Sequence, residues 1–154
     1  MRKNYIFIPL TVIVVAVLGG LLTAGGMGWY KTISLPSWTP SGRFIGTVWT
    51  IIFILSAISA LLVWNKFTRG ARFKWTAAIF IANAVLNVGW TFLFFNRHML
   101  LSSVWEAGLL SASVIALIVL IWPRSRLAAA LLVPYALWAP FALYLTYAVW
   151  ILNS

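Results

Sequence analysis

Trp29-Tyr30-Lys31-Thr32-Ile33-Ser34-Leu35-Pro36-Ser37-Trp38-Thr39-Pro40-Ser41-Gly42-Arg43-Phe44-Ile45-Gly46-Thr47-Val48-Trp49 is the stretch from which the rest of the chain is read. Its first half is the one sizeable polar, turn-rich segment in a chain that is otherwise apolar. Pro36 and Pro40 fix φ, donate no backbone hydrogen bond, and turn Leu35 and Thr39 away from helical geometry. Ser37, Thr39 and Ser41 are suited to satisfy local backbone groups and to cap a helix that follows. Two tryptophans and a tyrosine are more than a linker needs. An aromatic loop of this kind reads either as a lid folded over a helix bundle or as an anchor at a membrane–water boundary, where Trp and Tyr collect.

Outward from this loop the composition decides the class. The chain has 154 residues, of which 64% are hydrophobic and 8% charged, with a mean hydropathy of +1.02. Apolar runs of 18 or more residues mark membrane spans, and five can be counted. Helix 1 is expected over Asn4–Gly25, helix 2 over Phe44–Trp64, helix 3 over Trp75–Phe95, helix 4 over Leu100–Trp122 and helix 5 over Leu127–Leu152. At ~1.5 Å per residue each is long enough to cross ~30 Å of hydrocarbon. The expected fold is an all-α membrane protein: one domain over 1–154, a five-transmembrane-helix bundle with a long helix 1–2 loop as lid. The first run, after Arg2-Lys3, is read as helix 1 rather than as a cleaved leader, because four further spans follow.

Charge sets the expected topology. The net charge is +10, yet the cations sit in short loops between spans, which points to membrane orientation and not to nucleic acid. Arg2, Lys3, Lys66, Arg69, Arg72, Lys74, Arg124 and Arg126 fall on one side, and Lys31, Arg43 and Arg97 on the other. The richer side is expected inside, so the N-terminus is cytoplasmic and the C-terminus and lid loop lie outside a prokaryotic cell membrane. No cysteine is present, and one His with one acidic residue builds neither a conventional metal site nor a Ser-His-Asp triad. No cofactor is expected.

Several residues stand out along the spans. Ala16, Gly20, Ala24 and Gly28 form a small-residue stripe on helix 1 that permits close approach of another helix, expected to be inside the bundle. A shorter stripe, Ala78 and Ala82, faces either the bundle or a second subunit. Trp49 and Phe53 lie one turn apart on helix 2. Trp64, Trp75 and Trp122 read as boundary anchors. On helix 3, Asn83, Asn87, Trp90 and Phe94 follow spacings of four, three and four, and so share a face; amides in lipid must be hydrogen-bonded, as helix glue or as pocket lining. Glu106 on helix 4, the sole acidic residue, is either a functional carboxyl or a structural one that reaches headgroup water or pairs with Arg97 or His98. His98 reads as solvated in a tight turn. Pro140 is expected to kink helix 5, and Trp138 lies near mid-span, where an indole N–H needs a partner or a ligand. Trp49, Trp90 and Trp138 reach similar depths from the lid side, with Asn87 level with them. Together they outline a pocket in the outer half, beneath the lid that carries Trp38. Such a pocket suits a large, flat, mostly apolar ligand, with Lys31 and Arg43 favouring carboxylates at its mouth.

These residues resemble the TspO/translocator protein family, the tryptophan-rich sensory or peripheral benzodiazepine receptor family. The similar motifs are Trp29-Tyr30, Pro36 to Pro40 and Trp49; then Asn83, Asn87, Trp90 and Phe94-Phe95; then Pro134-Tyr135, Trp138, Phe141-Ala142 and Leu145. The resemblance implies a five-helix bundle, often a homodimer, that binds tetrapyrroles such as protoporphyrin IX as sensor, scavenger or carrier. It places Tyr30, Pro40, Phe53, Asn87, Phe94 and Ala142 on the ligand, and it implies for some members light-dependent porphyrin degradation involving two tryptophans, matched by Trp49 and Trp138. The family's sterol motif needs a base shortly after a tyrosine near the chain end; Tyr147 is followed by none, so sterol recognition is not carried over. Thr146 stands where the family usually has Asn, and Pro140 where it has a small residue. Three functions are therefore carried forward: tetrapyrrole binding, photodegradation by Trp49 and Trp138, and proton-coupled export through Glu106.

Overall fold

The computed structural model describes residues 4–154; Arg2 and Lys3, counted in the charge bias, lie outside them. Five helical segments are long and apolar enough to cross a membrane, as hydropathy predicts. α1 spans Asn4–Tyr30, α2 Gly42–Lys66, α3 Ala71–Thr91, α4 Leu100–Ile121, α5 Arg126–Ala130 and α6 Val133–Leu152. The short α5 and the longer α6 together form the fifth span.

Three boundaries depart from expectation, each for a local reason. α1 runs past Gly25 to Tyr30, because glycine does not end a helix whose backbone has no water to turn to. α3 closes in a π-helical turn, Phe92–Asn96, in which Arg97 N–H donates to Phe92 O at 3.0 Å. The wider turn buries the consecutive rings of Phe94 and Phe95 together. The expected continuous helix 5 is broken at Leu131–Leu132, between α5 and α6. Pro134 occupies the first turn of α6, where its missing N–H costs nothing. α6 then continues through Pro140, so the interruption in this span precedes Pro134.

The two ends of the bundle are defined by contacts. At one end Asn4 Nδ2 donates to Asn65 Oδ1 at 3.1 Å, and Phe67, Ile121 and Ala128 belong to one buried cluster. This gathers the start of α1, the α2–α3 loop and the α4–α5 turn. At the other, Ser34 N–H donates to Asn153 Oδ1 at 2.9 Å and Asn153 Nδ2 returns a bond to Ser34 O at 2.8 Å. Trp29 stacks on His98 with ring centroids 4.0 Å apart. The 31–41 loop, the α3–α4 turn and the C-terminus therefore share one face, as the alternation of five spans requires.

The helices are close-packed towards the first end. Val63, Leu117, Ile121, Ala128 and Leu132 are almost wholly buried there, and Ser59 Oγ donates to Ala128 O at 2.8 Å. α1 lies on the outside, with Leu10, Ile13, Val17 and Leu21 exposed. Its small-residue stripe does not mediate the close approach: a Cβ added at Gly20 or Gly28 meets nothing within 4 Å. The contact is made instead by Gly26, which is buried and presses on Phe95 of the π turn. Ala78 and Ala82 are exposed on α3.

Candidate ligand-binding site

Towards the loop-bearing end the helices separate around a cavity of about 800 Å³. Each wall follows from a local sequence feature. α1 contributes Ala16, Gly19, Gly20, Thr23 and Ala24, so its stripe of small residues supplies volume and not contact. α2 begins at the Ser41 cap, whose Oγ accepts from Phe44 N–H at 3.2 Å. It then presents Gly42, Gly46, Trp49, Thr50 and Phe53, positions recurring at the helical spacing of three to four. α3 and its π turn give Asn87, Trp90, Thr91, Phe94 and Phe95, and α6 gives Trp138, Ala142, Leu145 and Thr146.

Of the sequence-derived candidates, Tyr30, Trp49, Phe53, Asn87, Trp90, Phe94, Trp138 and Ala142 are thus brought to one cavity. Three are placed elsewhere. Asn83 lies one turn deeper and is consumed by packing: its Nδ2 donates to Ser113 Oγ at 2.8 Å and its Oδ1 accepts from Tyr135 O–H at 3.1 Å. Trp38 turns over the outer surface of α6, stacked on Tyr144 with centroids 5.3 Å apart and edge-on to Phe141. Pro40 lies off the wall; Pro36 O accepts from Thr39 Oγ1 at 2.7 Å and closes the turn just before it. The loop is accordingly fastened at this end of the bundle by Trp38 and by Asn153, and Tyr30 is the loop-side aromatic that reaches the wall, packed on Phe94 and Phe95.

Tyr135 organises the site and was visible in the sequence only as part of a motif. It is buried, receives a bond from Asn87 Nδ2 at 3.2 Å, and meets Trp49 edge-to-face at 5.7 Å. One phenol thereby fixes both amides of α3 and one indole of α2. Trp90 stacks on Phe94 at 5.1 Å, and Trp138 packs on Phe141 at 5.0 Å. Thr50 and Thr146 spend their hydroxyls on Gly46 O and Ala142 O of their own helices, each at 2.8 Å. The indole N–H groups of Trp90 and Trp138 are buried and bond to no protein acceptor. The lining residues carry no ionised side chain; Lys31 and Arg43 are exposed and adjoin Tyr30 and Gly42 of the wall.

Glu106 is not part of this wall. Its Oε1 lies 3.0 Å from where a Gly89 Cβ would sit, so the missing side chain of Gly89 makes room for the carboxyl between α4 and α3. A pairing with Arg97 or His98, one of the alternatives for this carboxyl, does not form among the described residues, and Oε2 has no hydrogen-bond partner there. His98, with φ of 55°, is turned instead onto Trp29.

The sequence matches the family model described as "TspO/MBR family" over residues 7–151. It is 33% identical over 147 residues to the tryptophan-rich protein TspO of Archaeoglobus fulgidus, covering 94% of each chain. It is 30% identical over 125 residues to the tryptophan-rich protein TspO of Bacillus cereus, covering 81% of this chain and 80% of that one. It is also 30% identical over 128 residues to the human translocator protein, covering 81% of this chain and 75% of that one.

Proposed function

This chain belongs to the TspO/MBR family, and from that premise we propose that it is an integral membrane protein that binds a tetrapyrrole of the protoporphyrin IX type, as sensor, scavenger or carrier. The observation that carries the reading is the cavity: about 800 Å³, within the range of small-molecule sites. Its walls are lined by Tyr30, Trp49, Phe53, Trp90, Phe94 and Trp138. A flat macrocycle stacks on such rings. Its propionates would extend to Lys31 and Arg43 at the mouth. The positive-inside bias of the loops supports a cytoplasmic N-terminus and a 31–41 loop on the outer side.

A second reading, light-driven porphyrin oxidation, is favoured by one observation: Trp49 and Trp138, both readily oxidised, stand on the same cavity wall. Export through Glu106 draws no support, since that carboxyl packs against Gly89 and off the wall.

The experiment is a dark titration of detergent-purified protein with protoporphyrin IX, wild type beside the Trp49→Phe/Trp138→Phe double variant, followed by illumination of both. Saturable micromolar binding is expected. Bleaching in wild type alone would add the enzymatic reading; equal bleaching in both would leave binding only. Absence of saturable binding would overturn the tetrapyrrole assignment while leaving the family and the fold standing.

A further inference from the structure

The geometry points to a second binding surface, at the opposite end from the cavity mouth, for the headgroups of acidic phospholipids. Lys66, Arg69, Arg72 and Lys74 of the α2–α3 connection and Arg124 and Arg126 of the α4–α5 turn are all exposed, and the two connections lie at one end, where Phe67, Ile121 and Ala128 belong to one buried cluster and α2 and α4 both pack on α5. No carboxylate faces them. Glu106, the sole Asp or Glu of the chain, is in the first half of α4 as that helix leaves the other end, and the C-terminus is tied beside Ser34 there. A charge bias towards one membrane side needs only the count of cations. This surface has more: a cation fixed in place. The Arg69 guanidinium lies 4.6 Å from the Trp64 ring centroid and 4.1 Å from that of Phe73. A planar cation held over two rings is restrained before any anion arrives and keeps its N–H fork for a phosphate.

The occupant follows from what surrounds the cations. Trp64, Trp75 and Trp122 are exposed at the same end, at the level where indoles meet lipid headgroups. Leu127, beside Arg126, is exposed too and offers apolar surface to an acyl chain. A ligand joining a phosphate to a hydrocarbon chain satisfies both features; a soluble anion satisfies only the first. Basic clusters beside spans attract acidic lipid by about fivefold per cation near the surface.

Native mass spectrometry of the full chain, taken from micelles holding equal amounts of phosphatidylglycerol and phosphatidylcholine, reads the surface directly. Wild type is expected to retain phosphatidylglycerol at least fivefold over phosphatidylcholine. Arg69→Gln/Arg72→Gln should remove most of that preference while dark porphyrin binding stays unchanged. Lys31→Gln/Arg43→Gln, which deletes the same charge at the other end, should keep the preference. If the first double variant does not fold, Lys74→Gln/Arg126→Gln at exposed positions replaces it. Equal retention of the two lipids by wild type would overturn the proposal. So would equal losses in the inner and outer double variants, which would reduce the effect to net charge. Displacement of the lipid by equimolar inorganic phosphate or a short oligonucleotide would likewise exclude a lipid site.

Discussion

Gly26→Ala is the smallest change that should disturb both the fold and the cavity. The added Cβ would lie 2.6 Å from Phe95 Cβ and 2.7 Å from the Phe95 carbonyl carbon, with the carbonyl oxygen closer still. Carbon atoms in contact rest at ~3.5–4.0 Å, so α1 and the π turn must part by about 1 Å. Two of the three obstructing atoms are backbone, which no rotamer change can move aside. Overpacking of this kind costs about 1–3 kcal/mol. Against it stands the better helix propensity of Ala, about 1 kcal/mol. A net loss of up to about 2 kcal/mol is expected, accompanied by weaker ligand binding because Phe94 and Phe95 of the π turn form part of the cavity wall. Gly28→Ala is the matched control: its Cβ meets nothing within 4 Å, so only the propensity gain remains, up to about 1 kcal/mol of stabilisation. Reversible unfolding of detergent-solubilised protein by increasing dodecyl sulfate, followed by circular dichroism, would rank the two. If Gly26→Ala proved as stable as Gly28→Ala, the tight α1–π-turn contact would be refuted, and with it the role of this glycine in setting the distance between α1 and the Phe94–Phe95 wall of the cavity.

Four further substitutions test separate parts of the site. Tyr135→Phe removes the acceptor of Asn87 Nδ2 and the donor to Asn83 Oδ1; leaving two buried amides short of partners should cost about 2–4 kcal/mol in the same unfolding assay. Trp138→Phe trims a ring of the cavity wall and deletes a buried indole N–H that has no protein acceptor; ligand affinity should fall about twofold to tenfold by absorbance titration through lost aromatic contact, with stability unchanged or slightly improved. Asn153→Ala deletes both bonds to Ser34 and the one to Val149 O. Because the site is exposed, global stability should move by under about 1 kcal/mol, whereas amide exchange in residues 31–41 and the ligand off-rate should both rise. Glu106→Gln, at a side chain off the cavity wall, should leave porphyrin affinity within about twofold of wild type, and a loss of tenfold or more would return the carboxyl to the site.

The five spans were legible because a bilayer asks one coarse thing of a sequence, an apolar run of sufficient length. Their ends were less so. Gly25 and Gly26 read as a stop under rules learned from helices in water, yet inside lipid the cost of opening a backbone hydrogen bond exceeds that of a glycine in a helix. The break before α6 has a signal in its own residues, since Pro134 has no N–H to bond Ala130 O and its ring crowds that carbonyl, and the neighbours receive it. Leu132 and Ala128 are wholly buried against the core, and Ser59 of α2 caps Ala128 O, so the chain turns where a partner helix receives it. Pro140, the more conspicuous residue in the sequence, leaves α6 uninterrupted.

At the site, helical spacing brought Asn87, Trp90 and Phe94 to one wall, since three or four residues return a side chain to the same face whatever lies opposite. The same spacing included Asn83, and there the opposite side decides: Ser113 and Tyr135 meet it and the cavity does not extend to it. Trp38 had no periodicity to be read from, because a loop has none, and its place is set by Tyr144 more than 100 residues away. The stripe on α1 shows the deeper limit. Ala16, Gly20 and Ala24 are a record of side chains that are missing, and an absence is compatible with two opposite structures: a helix pressed against its neighbour, or a helix standing back from a space. Which one forms depends on whether the facing surface carries something that fills the gap. Here the facing residues of α2 begin with Gly42 and Gly46, themselves without side chains, so neither wall reaches the other and the small residues of both helices become the volume in which a ligand is held.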